Sequence, residues 1–267
     1  MMKFFSNLGF KFIDFIILSG IIVRFTIEFF RGLFTKGVNF YLVVRQVYFV
    51  GVKSLPLATI IGVFIGMVIT IQFAYGLKSY GALDKVPKLV ALAMVRELGP
   101  GFIALLVGGK IGSGFAAEIG SMKVSEQIDA MRSLGDDPIR RLLAPRIIAV
   151  MLILPFLTIW ADLVSFIGGA FVSSIEYNLD PAIFLKVVRG SLKNREIIHS
   201  IIKSMVFGYL IAIIGVANGF RTGYGTESVG KSTTDTVQTT FIFILITNFF
   251  LSKFFMVVKF KWFDVLW

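Results

Sequence analysis

SLPLATIIGVFIGMVITIQFAYGL, residues 54–77, carries no charge between Lys53 and Lys78. At a rise of about 1.5 Å per residue, a helix of that length crosses roughly 30 Å of bilayer hydrocarbon. The stretch reads as a transmembrane helix and sets the class of the whole chain. Composition agrees. Of 267 residues 56% are apolar and 29 are Phe, and the mean hydropathy of +0.84 lies far above that of a soluble domain. Gly62 and Gly66 form a GxxxG pair that lets a second helix approach, although the same spacing is common in apolar helices generally.

Working outward, a second span is expected over residues 89–109, interrupted by Arg96, Glu97, Gly99 and Pro100. A third covers 147–175, with Pro155, Asp162 and Gly168-Gly169 inside it. A fourth covers 197–219 with Lys203 inside it, and a fifth covers 237–258. Residues 1–36 mix Phe and Ile with Lys11, Asp14, Arg24, Glu28 and Arg31. Their longest uncharged run, 15–23, is too short to span. A helix lying in the membrane interface is expected there. A cleaved signal peptide is the competing reading, and no small-residue cleavage site follows the apolar run. The fold class is therefore an all-α integral membrane protein, with an N-terminal interfacial helix and about five transmembrane helices.

The main polar island runs from Arg96 to Arg146. Within it Val124, Ile128, Met131 and Leu134 recur at helical spacing among polar residues, so an amphipathic helix is expected over 124–134, stopped at Asp136-Asp137-Pro138. Lys and Arg collect in this island and in the N-terminal region, which places both in the cytoplasm. Counting spans then puts 176–195 outside, 221–236 inside and the C-terminus outside. Lys259 and Lys261 fall on the wrong side for the rule. The net charge of +11 is scattered beside apolar runs, which points to membrane topology and away from nucleic acid.

Ionisable groups inside a membrane need partners or water. Arg96 and Glu97 are sequence neighbours about 100° apart on a helix, so each is expected to pair with a different segment, with Lys203 and Asp162 as candidates. In the alternative, Pro100 shifts the pair to an interface where both are solvated. His199, as the single His, reads as structural. With no Cys and one His, neither a disulfide framework nor a thiolate or His-based metal site can be built in one chain.

Gly225-Thr226-Glu227-Ser228-Val229-Gly230-Lys231-Ser232 matches the phosphate-cradling GxxxxGK[ST] loop. That loop works between a buried strand and a helix of an α/β domain, and here it lies between two spans. The match reads as chance. GxGxxA at 112–117 lacks a βαβ unit in the same way.

VRELGP (95–100), GGKIGSGFAAEIGSMKVSEQIDAM (108–131), DP (137–138) and APR (144–146) resemble the MlaE family. So do VRQVY (44–48), GVFIGMVI (62–69) and IKSMVF (202–207). These are permease subunits of bacterial ABC transporters that move phospholipids between membranes. The resemblance implies one MlaE-type permease domain over 1–267, in the bacterial inner membrane. It also implies a homodimer with ABC ATPase subunits below it and an MCE-domain lipid-binding protein above it. A small STAS-domain subunit belongs to the same set of partners. The chain itself would need no cofactor, with ATP and Mg on the partner ATPase, and would be no enzyme.

By position the resemblance makes Ile69, Gln72, Leu77 and Tyr80 the lining of a phospholipid cavity at the dimer centre. Arg96, Glu97 and Lys203 become a buried charge network, to which the last span contributes Asn248 where the family can have an Asp. Residues 119–135 become the coupling-helix region, with Glu118, Val124, Glu126, Ile128 and Met131 facing the ATPase. Two rival classes stay open. An ion-coupled secondary transporter would use Arg96, Glu97, Asp162 and Lys203 as a relay and would show inverted repeats, which are not evident. A membrane-embedded lipid-modifying enzyme would need a nucleophile, metal or acid/base cluster.

Overall fold

The computed structural model describes residues 2–35 and 38–257. Among the described residues eight helices follow one another: α1 Met2–Thr35, α2 Phe40–Lys78, α3 Leu83–Val124, α4 Gln127–Ser133, α5 Pro138–Tyr177, α6 Pro181–Ser191, α7 Asn194–Arg221 and α8 Thr226–Val257. Helix α3 opens with a 3-10 turn, and widens into π-helical turns at Met94–Leu98 and Ile103–Val107. No strand occurs among the described residues. Helices α2, α3, α5, α7 and α8 are long and apolar enough to cross a membrane, which makes the chain an all-α integral membrane protein. The tail 259–267 lies outside the described residues.

The helices outrun the apolar stretches that announce them. Helix α2 begins at Phe40 and takes in Arg45 and Lys53, α3 continues to Val124, and α8 starts at Thr226. Arg, Lys and Glu are good helix formers, so a charge marks the edge of the hydrocarbon without ending the helix. The breaks fall where backbone chemistry requires them. Gly81, Gly135, Gly225 and Asn178 adopt positive φ in the connections. Pro181 sits at the first position of α6, whose cap Asp180 accepts a hydrogen bond from the Ala182 N–H at 2.7 Å.

The 124–134 helix is not continuous. Helix α3 ends at Val124, Glu126 takes a left-handed conformation at φ 59°, and α4 starts at Gln127. Val124 therefore belongs to α3, and Leu134 lies past the end of α4. A left-handed Glu is costly, and no Gly or Pro in the sequence announces it.

The chain divides into two compact units. The first comprises Met1–Gln46, Gly109–Ala149 and Tyr209–Phe241. There α1 buries Leu18, Phe25 and Phe29, one face of the helix, while Val23, Ile27 and Phe30 stay exposed. Phe25 meets Phe220 edge-on at 5.5 Å, and Thr26 and Tyr209 share a hydrogen bond. Helices α3 and α7 touch through backbone. A methyl on Gly215 would sit 2.6 Å from the carbonyl oxygen of Gly112, so only hydrogen fits at that crossing.

The second unit comprises Val47–Gly108, Val150–Gly208 and Ile242–Trp267. Gly62 and Gly66 of α2 lie against Ala161 and Ser165 of α5, and a Cβ on Gly66 would come within 2.1 Å of the Ser165 carbonyl oxygen. The GxxxG pair is thus a helix crossing within this unit. Its apolar core gathers Ala74 of α2, Val86, Val90 and Met94 of α3, Phe166 and Ala170 of α5, and Phe184 and Val188 of α6. Phe64, Val68, Ile167, Phe171, Phe249 and Phe250 point away from this core and are exposed. In water so many exposed large apolar side chains would drive association, whereas hydrocarbon accommodates them.

Candidate functional site

The second unit holds a cluster of charges built on three helices. Arg96 and Glu97 sit in the π-helical turn Met94–Leu98 of α3, four and three residues before Pro100. Proline has no N–H, so the Arg96 carbonyl lacks the donor that a regular helix would supply from position 100. Lys203 of α7 fills the gap, and its ammonium donates to that carbonyl at 2.9 Å. The same ammonium donates to Glu97 Oε1 at 2.8 Å and to Ser252 Oγ of α8 at 2.8 Å. All three ammonium hydrogens are used, which is what a Lys 2% exposed inside a membrane span requires.

Glu97 Oε2 accepts from Asn248 Nδ2 at 3.2 Å and lies 2.9 Å from Ser252 Oγ, whose proton is shared with the Asn248 carbonyl at 2.7 Å. An Asp at 248 would set a second carboxylate against Glu97, whereas the amide supplies a neutral donor. Arg96 turns the other way. Its Nε and Nη2 hold the Glu196 carboxylate bidentately at 2.6 and 2.8 Å. Arg195 Nη2 approaches the same carboxylate at 3.6 Å. Glu196 and Lys203 are seven residues apart on α7, two turns along one face, so one helix serves both neighbours of the π turn.

These residues surround a cavity of about 250 Å³. Its lining is Arg96, Glu97, Arg195, Glu196, His199, Lys203, Ser252, Phe255 and Met256. The His199 ring stacks on Phe255 at 4.3 Å. Glu196 and Lys203 lie at the back, with side chains 4% and 2% exposed. Arg96 and Glu97 keep 47% and 45% of theirs open.

Of the residues proposed from sequence, Arg96, Glu97, Lys203 and Asn248 come together here, and the partner of Arg96 is Glu196 rather than Asp162. Asp162 is buried against Gly99, its Oδ1 without a hydrogen-bond partner. Glu196 was missed because it falls at the edge of a polar connection. Its seven-residue spacing from Lys203 was the available signal.

The four proposed cavity residues divide. Gln72 and Tyr80 are exposed, Gln72 continuing the stripe of Ile60, Phe64 and Val68 along α2. Ile69 and Leu77 are partly buried and pack against the apolar core of their unit.

The proposed coupling residues also divide. Glu118 is held by Arg146 at 2.9 Å, and Arg146, 4% exposed, also donates to the Leu142 carbonyl and lies over the Phe115 ring. Ile128 is 2% exposed, already covered by this chain, and Val124 and Met131 are partly buried. Glu126 and Leu134 are exposed, Leu134 at 86%. Ile128, which the resemblance turned towards the ATPase, is thus covered within this chain.

The GxxxxGKS stretch is almost entirely the first turns of α8, continuous with the preceding α7 through a short connection. Ser228 Oγ in the first turn of α8 donates back to that connection, to the carbonyls of Gly223 and Gly225, and Ser232 Oγ donates to the Asn218 carbonyl at 2.9 Å. The serine that would ligate Mg²⁺ in a true phosphate loop is thus turned into a helix contact. Lys231→Ala is expected to leave the rate of ATP hydrolysis by any assembly that contains this chain within about tenfold of wild type, measured as phosphate release. A larger loss, above roughly 1.4 kcal/mol of barrier, with normal assembly would restore the motif.

A family model described as Permease MlaE matches residues 43–254. The chain is 43% identical over 208 residues to a probable ABC transporter permease protein of Synechocystis, covering 78% of this chain and 79% of that one. It is 35% identical over 212 residues to a probable ABC transporter permease protein of Rickettsia typhi, covering 79% and 82%. It is 39% identical over 211 residues to the chloroplastic protein trigalactosyldiacylglycerol 1 of Arabidopsis thaliana, covering 79% of this chain and 60% of that one.

Proposed function

The chain belongs to the MlaE permease family, and from that premise we propose that it is the membrane subunit of an ABC transporter moving phospholipids between the inner and outer membranes of a bacterial cell. The observation that carries the reading is the match of residues 43–254 to this permease family, together with relatives named as ABC transporter permeases. The Arabidopsis relative carries the name of a diacylglycerol lipid, which favours a lipid cargo. Helical geometry across the GxxxxGKS stretch favours ATP hydrolysis on separate subunits, with ATP and Mg bound there and no bond made or broken by this chain.

In this reading two copies pair, and the open stripe of α2 ending in Gln72, with Tyr80 in the turn just past the helix, faces a shared cavity. Apolar positions 60, 64 and 68 suit acyl chains, and the amide and phenol suit the head-group region. ATPase subunits dock below on the segment around Glu126, and an MCE-domain protein exchanges lipid above, with a small STAS-domain subunit a further partner. ATP binding draws the ATPases together, and the motion passes through α4 to the spans. The test is transport of a labelled phospholipid by the assembly reconstituted in vesicles. Transfer that requires hydrolysable ATP is expected. Transfer driven equally by an ion gradient without ATP would favour a secondary transporter, and chemical change in the lipid would favour an enzyme.

A further inference from the structure

The cavity between α3, α7 and α8 has more donors than its carboxylates can use. Three cations, Arg96, Arg195 and Lys203, face two carboxylates, Glu97 and Glu196. Lys203 spends every hydrogen inside the cluster. Arg96 uses Nε and Nη2 on Glu196, and its Nη1 has no partner among the described residues. Arg195 reaches Glu196 only at 3.6 Å, and its Nε is buried without a hydrogen-bond partner. Both carboxylates are already satisfied. The unmatched capacity is cationic and donating, held by two guanidinium groups, the side chains best shaped for phosphate oxygens.

The depth of the cavity agrees. The positive-inside count puts the start of α7 and the end of α8 on the non-cytoplasmic side, so Arg195 stands near the outer edge of its span and Lys203 deeper within it. Phe255 and Met256 form an apolar wall beside the guanidinium groups. A cavity of about 250 Å³ accommodates a head group, and the attached chains would have to lie along the exposed apolar surface of α8, where Phe249 and Phe250 stand.

We infer that this cavity is a second lipid site, binding the phosphate of a phospholipid head group through Arg96 and Arg195, apart from the α2 stripe. The inference rests on the phospholipid reading and adds a particular place and chemistry to it. Phosphate is also available as the free anion, so the experiment separates the two sources.

A photoreactive residue is placed at Met256, which is 80% exposed at the cavity rim, and in a second preparation at Tyr80. The full chain in nanodiscs is offered tagged phosphatidylethanolamine or tagged diacylglycerol, which has no phosphate. Capture at Met256 is expected to favour the phospholipid by about tenfold, the worth of one charge-assisted hydrogen bond, and to fall by a similar factor in Arg195→Gln. Arg195→Lys should restore part of it, and capture at Tyr80 should not change. The diacylglycerol comparison needs no variant, so a folding defect in Arg195→Gln leaves the test intact. Equal capture of both lipids at Met256, or capture indifferent to Arg195→Gln, overturns the site. No preference for the phospholipid at Met256, with inorganic phosphate bound by the lipid-free chain and lost in Arg195→Gln, assigns the cavity to the free anion and overturns the head-group identity. Absence of phospholipid at Tyr80 as well as Met256 strikes the lipid reading itself, whereas capture at Tyr80 alone strikes only this site.

Discussion

Glu97→Leu is expected to destabilise the folded chain by about 3–5 kcal/mol, and Lys203→Met by distinctly less, although the two side chains form one ion pair. The asymmetry follows from what each substitution leaves behind. Without Glu97, the Lys203 ammonium stays 2% exposed with only the Arg96 carbonyl and Ser252 as neutral acceptors. An uncompensated buried cation is the costly case. Without Lys203, the Glu97 side chain is 45% open and still accepts from Asn248 and Ser252. Solvation and hydrogen bonding then hold the anion at modest cost. Glu97→Leu combined with Lys203→Met removes both charges and should recover most of the loss, the sign of direct coupling. The measurement is reversible unfolding of each variant in detergent. Equal losses for the two single variants, or strictly additive losses in the double, would remove the buried-pair account.

This cluster shows where sequence reading works and where it stops. Arg96, Glu97 and Lys203 declared themselves because charges in apolar runs are rare, and the runs themselves gave five spans. Glu196 did not, because it stands one residue outside the apolar run that begins at Ile197, where a carboxylate looks like ordinary loop polarity. Only the continuation of α7 to Asn194 brings it under the membrane-facing geometry that makes it the partner of Arg96. The same cause hid the true length of α2 and α8. Hydropathy reports where hydrocarbon begins, whereas capping, proline and positive φ report where a helix ends. The pairing of Lys203 with the Arg96 carbonyl was written in Pro100, four residues on, but reading it required knowing which side chain lay opposite.

The break at Glu126 is the other element that pattern alone could not give, and it relocates the test of ATPase coupling. Helical spacing put Val124, Ile128 and Met131 on one apolar face, which the resemblance turned towards the ATPase, but Ile128 is already buried within the chain, so Ile128→Asp would damage local packing and say nothing about docking. What the turn leaves exposed is Glu126 itself, at φ 59°, and Leu134 just past α4. A left-handed non-glycine costs about 1–2 kcal/mol and persists where the surroundings or the function demand it. Glu126→Lys and Leu134→Asp are therefore expected to insert and fold normally yet lose the ATPase subunit. Removing one side of a charged contact buried on docking costs about 2–5 kcal/mol, while a solvated surface charge is worth under about 1 kcal/mol. Glu126→Gly separates binding from strain. It relieves the left-handed backbone and should keep stability within about 1 kcal/mol of wild type, because the flexibility glycine adds to the unfolded chain offsets the relief. It should still fail to hold the ATPase if the carboxylate is the contact. Co-purification of the ATPase and ATP-driven transport at wild-type levels in both Glu126→Lys and Leu134→Asp would take the docking role away from this turn.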